Sequence, residues 1–370
     1  MAITSLGDGA IVSTSVSGGS MMHVIALRMV VAILVVAAAI PAEAQTKTLR
    51  FLLQFSASNP LGRNVLEFVR DVETRTGGAV KIEPTDLQML YGDNEVPWVV
   101  ATSVADMGLA PLGQYLTDVP AAGIFSQPFV FNFDALVRKA TKPGSEIRTI
   151  IDTEILTKTG TRVLWWLPYG ATVGLSKAVP INSPAGLLNQ KVLVFDGVTE
   201  ELVRACGGDP FRVSTVRQFS AFEMGIVDVS MTGVFSLIER DLWRATGAVT
   251  KTHHAPLLFV VVVNQKIWES LSGEQQRILT DAARAAEERI WDRFSAIELD
   301  AYLFAMTKGI KTYELSTDDI KAWRICSSSM LESYVERSGA IGAKLFAAYA
   351  KLRTDPCCST AVARDSNLGR

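Results

Sequence analysis

Histidine is nearly missing from this sequence, with three residues in 370. His23 lies in an N-terminal leader, which leaves only the adjacent pair His253 and His254. Neighbours on a strand point to opposite faces, so the pair cannot grip one metal ion as an H-x-x-x-H motif does. A G-x-S-x-G elbow, a phosphate-binding P-loop and a dinucleotide G-x-G-x-x-G are absent as well. No carboxylate pair stands out as acid and base, and Asp106 and Asp228 suit turns better than catalysis. The sequence therefore offers no catalytic residue, no metal site and no cofactor. An excess of one charge is missing too: 36 Lys and Arg against 38 Asp and Glu give a formal net charge of −2. Aromatics do not alternate with basic runs. Neither a nucleic-acid surface nor a patch for anionic membranes is expected.

No apolar run reaches the roughly 20 residues of a membrane span. Met29–Ile40 is apolar for twelve residues. With Arg28 before it and Ala42-Glu43-Ala44 after it, Met21–Ala44 reads as a cleavable export signal ending near Ala44, and the mature protein as periplasmic. Met1–Ser20 is polar and sits oddly upstream, as if translation began at Met21, Met22 or Met29. Cysteine is scarce, at Cys206, Cys326, Cys357 and Cys358, with no zinc or redox spacing. An exported protein can form disulfides, yet Cys206 and Cys326 lie in helical contexts and read as packed thiols. Cys357-Cys358 falls in a polar tail, 354–370, expected to be disordered.

What is present is an alternation of strand and helix. Thr48–Phe55 is a strand, Asn64–Thr76 a helix ended by Gly77-Gly78, Val80–Glu83 a strand, Glu95–Ser103 a helix and Ala105–Leu109 a strand. Such an order implies a right-handed parallel α/β layout. Ala135–Leu156 is helical with a break at Pro143-Gly144, and Arg162–Leu167 is a further strand leading to Pro168-Tyr169-Gly170. In Asn182–Phe195 a turn capped by Asn182 or Ser183 leads to the short run Lys191–Phe195. A helix from Val198, a break at Gly207-Gly208, another helical run and Gly225–Asp228 follow. Ser103–Gly108 and Gly225–Ser230 echo one another, each ending a helix and opening a strand with an aspartate. Val234–Arg244 is expected as a helix and Leu257–Val263 as a central buried strand. Ser272–Gln275 opens a helix that runs without Gly or Pro to Lys308. Gly309–Tyr313 is a late strand, with helices at Thr317–Ser338 and Ala340–Leu352.

Four stretches carry a family resemblance: Phe125–Phe131, Lys191–Val194, Ala221–Asp228, and Trp268–Ala285, which reads W-E-S-L-S-G-E-Q-Q-R-I-L-T-D-A-A-R-A. Over Thr48–Arg353 the chain resembles the DctP-like solute-binding proteins of tripartite ATP-independent periplasmic (TRAP) transporters. The resemblance implies a two-lobed α/β fold with a central cleft and one long helix across both lobes. On that basis lobe I spans 45–168 and 258–297, and lobe II 169–257 and 298–353. It further implies capture of a small organic solute by cleft closure and delivery to membrane permease subunits. The protein is then a monomer and not an enzyme. An exported two-lobed hydrolase or isomerase, or a sensor-partner binding protein, is the alternative.

In the resembled family an arginine on the strand after the Asn-Ser-Pro turn holds the ligand carboxylate; here that position is Leu193. A second arginine sometimes follows the crossover glycine, but Gly170 is followed by Ala171-Thr172. Removing such cations makes burial of a carboxylate costly. The expected ligand is therefore one without a clamped carboxylate, or an aromatic or apolar one. Candidate ligand-binding residues are Gln54 and Ser56 from lobe I, Trp166 and Tyr169 at the crossover, and Leu193, Phe195, Thr215, Thr232 and Phe235 from lobe II. Arg212 is the candidate for a relocated clamp, and a bridging metal is the other substitute.

Overall fold

The computed structural model describes residues 46–53, 55–85, 91 and 95–355, together with Ser13. The export signal, Gln54 and the tail with Cys357 and Cys358 lie outside them. From the first described strand the order is β1 (Lys47–Leu52), α1 (Pro60–Arg75), β2 (Val80–Thr85), α2 (Val96–Ala101) and β3 (Met107–Pro111). A 3-10 turn at Leu112–Tyr115 precedes α3 (Asp134–Thr141), α4 (Glu146–Thr159) and β4 (Thr161–Ser176). Then come β5 (Lys191–Leu193), α5 (Gly197–Ala205), β6 (Asp209–Phe211), α6 (Gln218–Glu223), β7 (Val229–Gly233) and α7 (Ser236–Glu239). The chain closes with β8 (Ala248–Lys251), β9 (Pro256–Asn264), α8 (Gln265–Glu269), α9 (Gly273–Thr307), β10 (Lys311–Glu314), α10 (Thr317–Cys326) and α11 (Met330–Arg353).

The local causes are plain. Asn59 caps α1 by accepting the Leu61 N–H at 2.7 Å, and Pro60 fits the first turn because its missing N–H would be unpartnered there anyway. Leu61, Val65, Phe68, Val69 and Val72 fall on one face and are buried. Fully burying side chains of this kind contributes roughly 1.5–3 kcal/mol each. At α9 the Ser272 hydroxyl accepts the Gln275 N–H while the Gln275 side chain accepts the Ser272 N–H, a reciprocal capping box. This helix has 35 residues, roughly 50 Å. It packs along α1 and β4 with its first part and reaches α7 and β10 with its last.

Among the described residues the strands run in the order β2-β1-β3-β9-β4-β7-β5-β6, with β8 on β4 and β10 on β8. β1 is parallel to β2 and β3, and β5 is parallel to β6 and β7. The two lobes of this α/β fold are thus the same motif twice. Their join is β4 with β9. Thr161–Ala171 of β4 pairs with β9, and Thr172–Ser176 pairs with β7 instead. A register irregularity between Pro168 and Gly170 falls just before the change of partner. There the Ala171 N–H donates to Glu298 Oε1 at 3.2 Å, tying the crossover to α9.

Several expectations change. β9 is central and buried, but it runs antiparallel to both β3 and β4. The helix expected over Val234–Arg244 is only α7 plus a 3-10 turn at Leu242–Arg244, because Asp241 takes a left-handed conformation between them (φ 53°). β6 and β8 carry no alternating pattern long enough to mark them. The helix expected over Thr317–Ser338 is divided between α10 and α11, and Gly339 kinks the latter at φ 54°. Most importantly, Cys206 and Cys326 are not free packed thiols. They form a disulfide, with Cα atoms 5.2 Å apart, which ties the end of α5 to the end of α10.

Candidate functional site

The carboxyl ends of several parallel strands, and the loops after them, converge on one cavity of about 170 Å³. From lobe I come Phe55 beyond β1, the Gly113–Gln114 turn beyond β3, Phe125, Ser126, and Leu258 and Phe259 of β9. From the crossover comes Tyr169 on β4. Lobe II supplies Phe195 and Asp196 beyond β5, Arg212, Ser214 and Thr215 beyond β6, Gln218 at the head of α6, Thr232 on β7 and Arg240 beyond α7.

One wall is aromatic. The Phe55 ring is stacked against Tyr169 with centroids 5.9 Å apart, and Phe259 lies 5.3 Å from Phe55 and 5.4 Å from Tyr169. The Tyr169 hydroxyl donates to Glu239 Oε2 at 2.7 Å, which fixes the ring's outer end. Gly233 permits this placement, since a Cβ there would stand 2.8 Å from Tyr169 Cδ1. Arg240 also lies over the Tyr169 ring, its guanidinium carbon 5.8 Å from the ring centroid. Its Nη1 donates to Gln218 Oε1 at 2.6 Å.

The lobes also touch directly. Gln114 Nε2 donates to the Phe195 carbonyl at 3.2 Å, and Ser126 Oγ donates to Asp196 Oδ2 at 2.8 Å. The other oxygen of Asp196 accepts the Thr199 N–H at 2.7 Å and so caps α5. Burial pushes the Asp196 carboxyl above its ordinary range, against the Thr199 and Ser126 hydrogen bonds and the nearby Arg212 charge. Gly113 is packed so closely on this carboxylate that an added Cβ would stand 2.7 Å from Asp196 Cβ.

The candidates from sequence separate into two groups. Tyr169, Phe195, Arg212, Thr215 and Thr232 line the cavity. Phe235 stands behind Tyr169, edge-on at 6.5 Å, and is not part of the lining. Trp166 is fully buried in lobe I, its Nε1 donating to Asp152 Oδ1 at 2.9 Å. Leu193 is buried with Ala221, Phe222 and Val227 inside lobe II, away from the cavity. Ser56 is exposed and hydrogen-bonded to Ser58 Oγ at 2.7 Å, and Gln54 lies outside the described residues. Arg212 donates from Nε to Glu200 Oε2 at 3.0 Å, and its side chain is 49% exposed.

Gln114, Ser126, Asp196, Gln218 and Arg240 escaped the sequence reading. Asp196-Gly197 before a helical run is a readable capping signal. Arg240 gave none, because its placement depends on the left-handed Asp241 that ends the helix early. The histidines stay apart from the cavity lining. His253 Nε2 meets the Tyr302 hydroxyl at 3.1 Å and His254 Nδ1 meets Thr252 Oγ1 at 3.0 Å. Burial lowers them to about 4 and about 3, so both are neutral near pH 7. Among the described residues no cluster of three His, Cys, Asp or Glu is placed to hold a metal ion, and no helix is long and apolar enough to cross a membrane.

Comparison with known proteins agrees with this architecture. The family described as "Bacterial extracellular solute-binding protein, family 7" (DctP) matches residues 53–338. The C4-dicarboxylate-binding periplasmic protein DctP of Rhodobacter capsulatus is 24% identical over 315 residues, 82% of this chain and 91% of its own. The ectoine-binding periplasmic protein TeaA of Halomonas elongata is 22% identical over 61% of this chain and 67% of its own. Among solved structures, DctP7 of Bordetella pertussis, an extracytoplasmic solute receptor binding pyroglutamic acid, superposes with a TM-score of 0.78 at 20% identity. The match covers 82% of this chain and all of that one. A TRAP periplasmic solute-binding protein from Desulfovibrio salexigens with bound orotic acid gives 0.76 at 18% identity, covering 84% and 99%. The chain belongs to bacterial extracellular solute-binding protein family 7 and is a DctP-like solute-binding protein of the TRAP type.

Proposed function

We propose that the protein captures a compact organic solute between its lobes and hands it to membrane permease subunits, after export directed by Met21–Ala44. The observation that carries this reading is a cavity lined from both lobes, bordered by the Gln114–Phe195 and Ser126–Asp196 contacts that cross between them. A solute there gains contacts with both lobes only when they are together, which is what shifts a hinged protein toward its closed form. The hinge in this reading is the crossover of β4, and the lobe limits are 168/169 on β4, 257/258 on β9 and 297/298 on α9. The cavity has a volume of about 170 Å³. That suits solutes of the size bound by the relatives, such as pyroglutamate or orotate, and the protein works as a monomer.

The ligand is atypical in how it is held. With Leu193 packed among Ala221, Phe222 and Val227, β5 presents no cation to the solute. The test is a thermal-shift screen of purified protein followed by calorimetry. One solute should raise the melting temperature, bind at one equivalent and be recovered chemically unchanged. Stabilisation at 100 times Kd is about 2.7 kcal/mol. Conversion of the solute would replace this reading with an enzymatic one.

A further inference from the structure

A second cavity, of about 240 Å³, lies on the other side of the crossover. Tyr169 lines the interlobe cavity, while its neighbours Pro168 and Gly170 line this one, as alternation along a strand implies. Four rings wall it: Phe131 and Phe133 just ahead of α3, and Trp291 and Phe294 on α9. Trp291 and Phe294 meet edge-on with centroids 6.0 Å apart. Glu298 stands one turn beyond Phe294 on the same face of α9, and Asp134, the exposed first residue of α3, also borders the space. Among the described residues no lysine or arginine lines it. Glu298 Oε1 accepts the Ala171 N–H at 3.2 Å, so anything held here rests against the crossover itself. Arg138, one turn along α3 from Asp134, donates instead to Asp292 Oδ1 at 2.5 Å. Lys251, whose charge reaches Glu298, is engaged by Glu314 at 2.6 Å and lies over the Tyr302 ring at 4.5 Å. Burial raises the Glu298 carboxyl above its ordinary range; the Ala171 N–H opposes the rise and the Asp134 charge adds to it.

These surroundings select one kind of occupant. Two carboxylates beside apolar walls repel an anion. A hard metal ion takes six or more oxygen ligands, and among the described residues no three His, Cys, Asp or Glu are grouped to hold one. An ammonium group suits both parts of the lining, since ring faces attract a cation and a nearby charge offsets the cost of burying a carboxylate. We propose that this cavity is a second ligand site, for a small organic cation of the alkyl- or arylammonium class. Its charged head lies between Glu298 and Asp134, and its apolar part lies against Phe131, Phe133, Trp291 and Phe294. The site is separate from the interlobe cavity and does not depend on which solute that cavity takes.

The experiment has two arms. In the first, calorimetry at pH 7 compares benzylammonium and benzyltrimethylammonium with the neutral benzyl alcohol, on wild-type protein and on Glu298→Gln and Asp134→Asn. The glutamine amide oxygen can still accept the Ala171 N–H, so Glu298→Gln removes the charge and keeps the crossover bond. In the second arm, crystals of the wild-type protein are grown with 4-bromobenzylammonium, and the bromine is located by anomalous scattering. At least one of the two cations should bind at one equivalent and at least tenfold more tightly than the alcohol. Affinity should fall about 10- to 30-fold in Glu298→Gln and only about threefold in Asp134→Asn, where solvent screens the charge. The bromine should lie among Phe131, Phe133, Trp291 and Phe294. The second arm uses the unaltered chain, so it stands even where a variant folds poorly. Benzyl alcohol binding as tightly as the cations, Glu298→Gln within threefold of wild type, or no measurable binding of either cation would overturn the assignment. So would bromine in the interlobe cavity or nowhere in the protein. None of these outcomes touches the solute-capture reading, which rests on the other cavity.

Discussion

In lobe I, Asp106 stands just ahead of β3. It accepts the Arg50 N–H at 2.7 Å, and its own N–H donates to the Arg50 carbonyl at 2.9 Å. In lobe II, Asp228 stands just ahead of β7 and makes the same exchange with Lys191, at 3.0 Å and 2.8 Å. One motif has therefore been built twice, down to an aspartate side chain that accepts a backbone N–H of the neighbouring strand. Its two copies are fastened differently. Lobe I has strands of five to nine residues, and the largest apolar core fills it and continues past the crossover to Val173, Leu237 and Val249. It also buries Arg148, which bonds Glu287 Oε1 at 2.5 Å and Asp152 Oδ2 at 3.1 Å. In lobe II β5 and β6 have three residues each, two smaller apolar clusters stand apart from that core, and a disulfide joins α5 to α10. Less buried apolar surface calls for a covalent fastening, which an exported protein can have. The lobe with the lighter core also supplies the charged part of the cavity: Asp196, Arg212 and Arg240. Lobe I supplies mainly apolar wall, with Gln114 and Ser126 at its edge.

The contrast can be broken from either side. Arg148→Met leaves Glu287 and Asp152 without their cation inside lobe I. Urea unfolding should show a loss of about 3–5 kcal/mol, the usual effect of deleting one partner of a buried pair. Replacing Cys206 and Cys326 together by serine frees a loop with a sequence separation of 120 residues. The expected loss is roughly 2–4 kcal/mol, and hydrogen exchange should rise in β5 and β6 well before β1 and β2. Equal loosening of both lobes would contradict the division.

A pH series sharpens the same comparison. Burial raises Glu287 to about 7 from an ordinary 4.5, with Arg148 opposing the shift. The folded state thus holds this proton more tightly than the unfolded one, so its contribution to stability falls as pH rises from about 4.5 to about 7. His253 and His254 act in the opposite sense. Their folded values are depressed from 6.5 to about 4 and about 3, so stability falls as pH drops below 6.5. Glu287→Gln should remove the first slope and leave the second, a difference on the order of 1–3 kcal/mol between pH 5 and 7 in paired urea titrations. The smallest effect belongs to Asp196→Ala, which removes the α5 cap and the bond to Ser126. A stability loss of about 1 kcal/mol is expected, with weaker solute binding in calorimetry because one contact between the lobes is gone.

Much of this was readable beforehand, for physical reasons that also mark where reading stops. The uninterrupted α9, its Ser272 capping box, the apolar β9 and the two strand-opening aspartates are local patterns, and the fold obeys them. The disulfide was missed because a separation of 120 residues says nothing about proximity until the helices are placed. Leu193 is expected at the cleft because it stands where the resembled family has its arginine, and Trp166 because it leads into the crossover, yet each side chain packs into the core of its lobe. Arg240 depends on where one short helix stops, and Asp241 decides that with a backbone conformation no periodicity reports.

The most direct test of hinged capture is small-angle X-ray scattering. The protein is unfolded to strip its solute, refolded, and titrated with the solute released in that step. The account predicts an expanded particle that contracts to a limit at one equivalent. A scattering profile unchanged at saturation would contradict it.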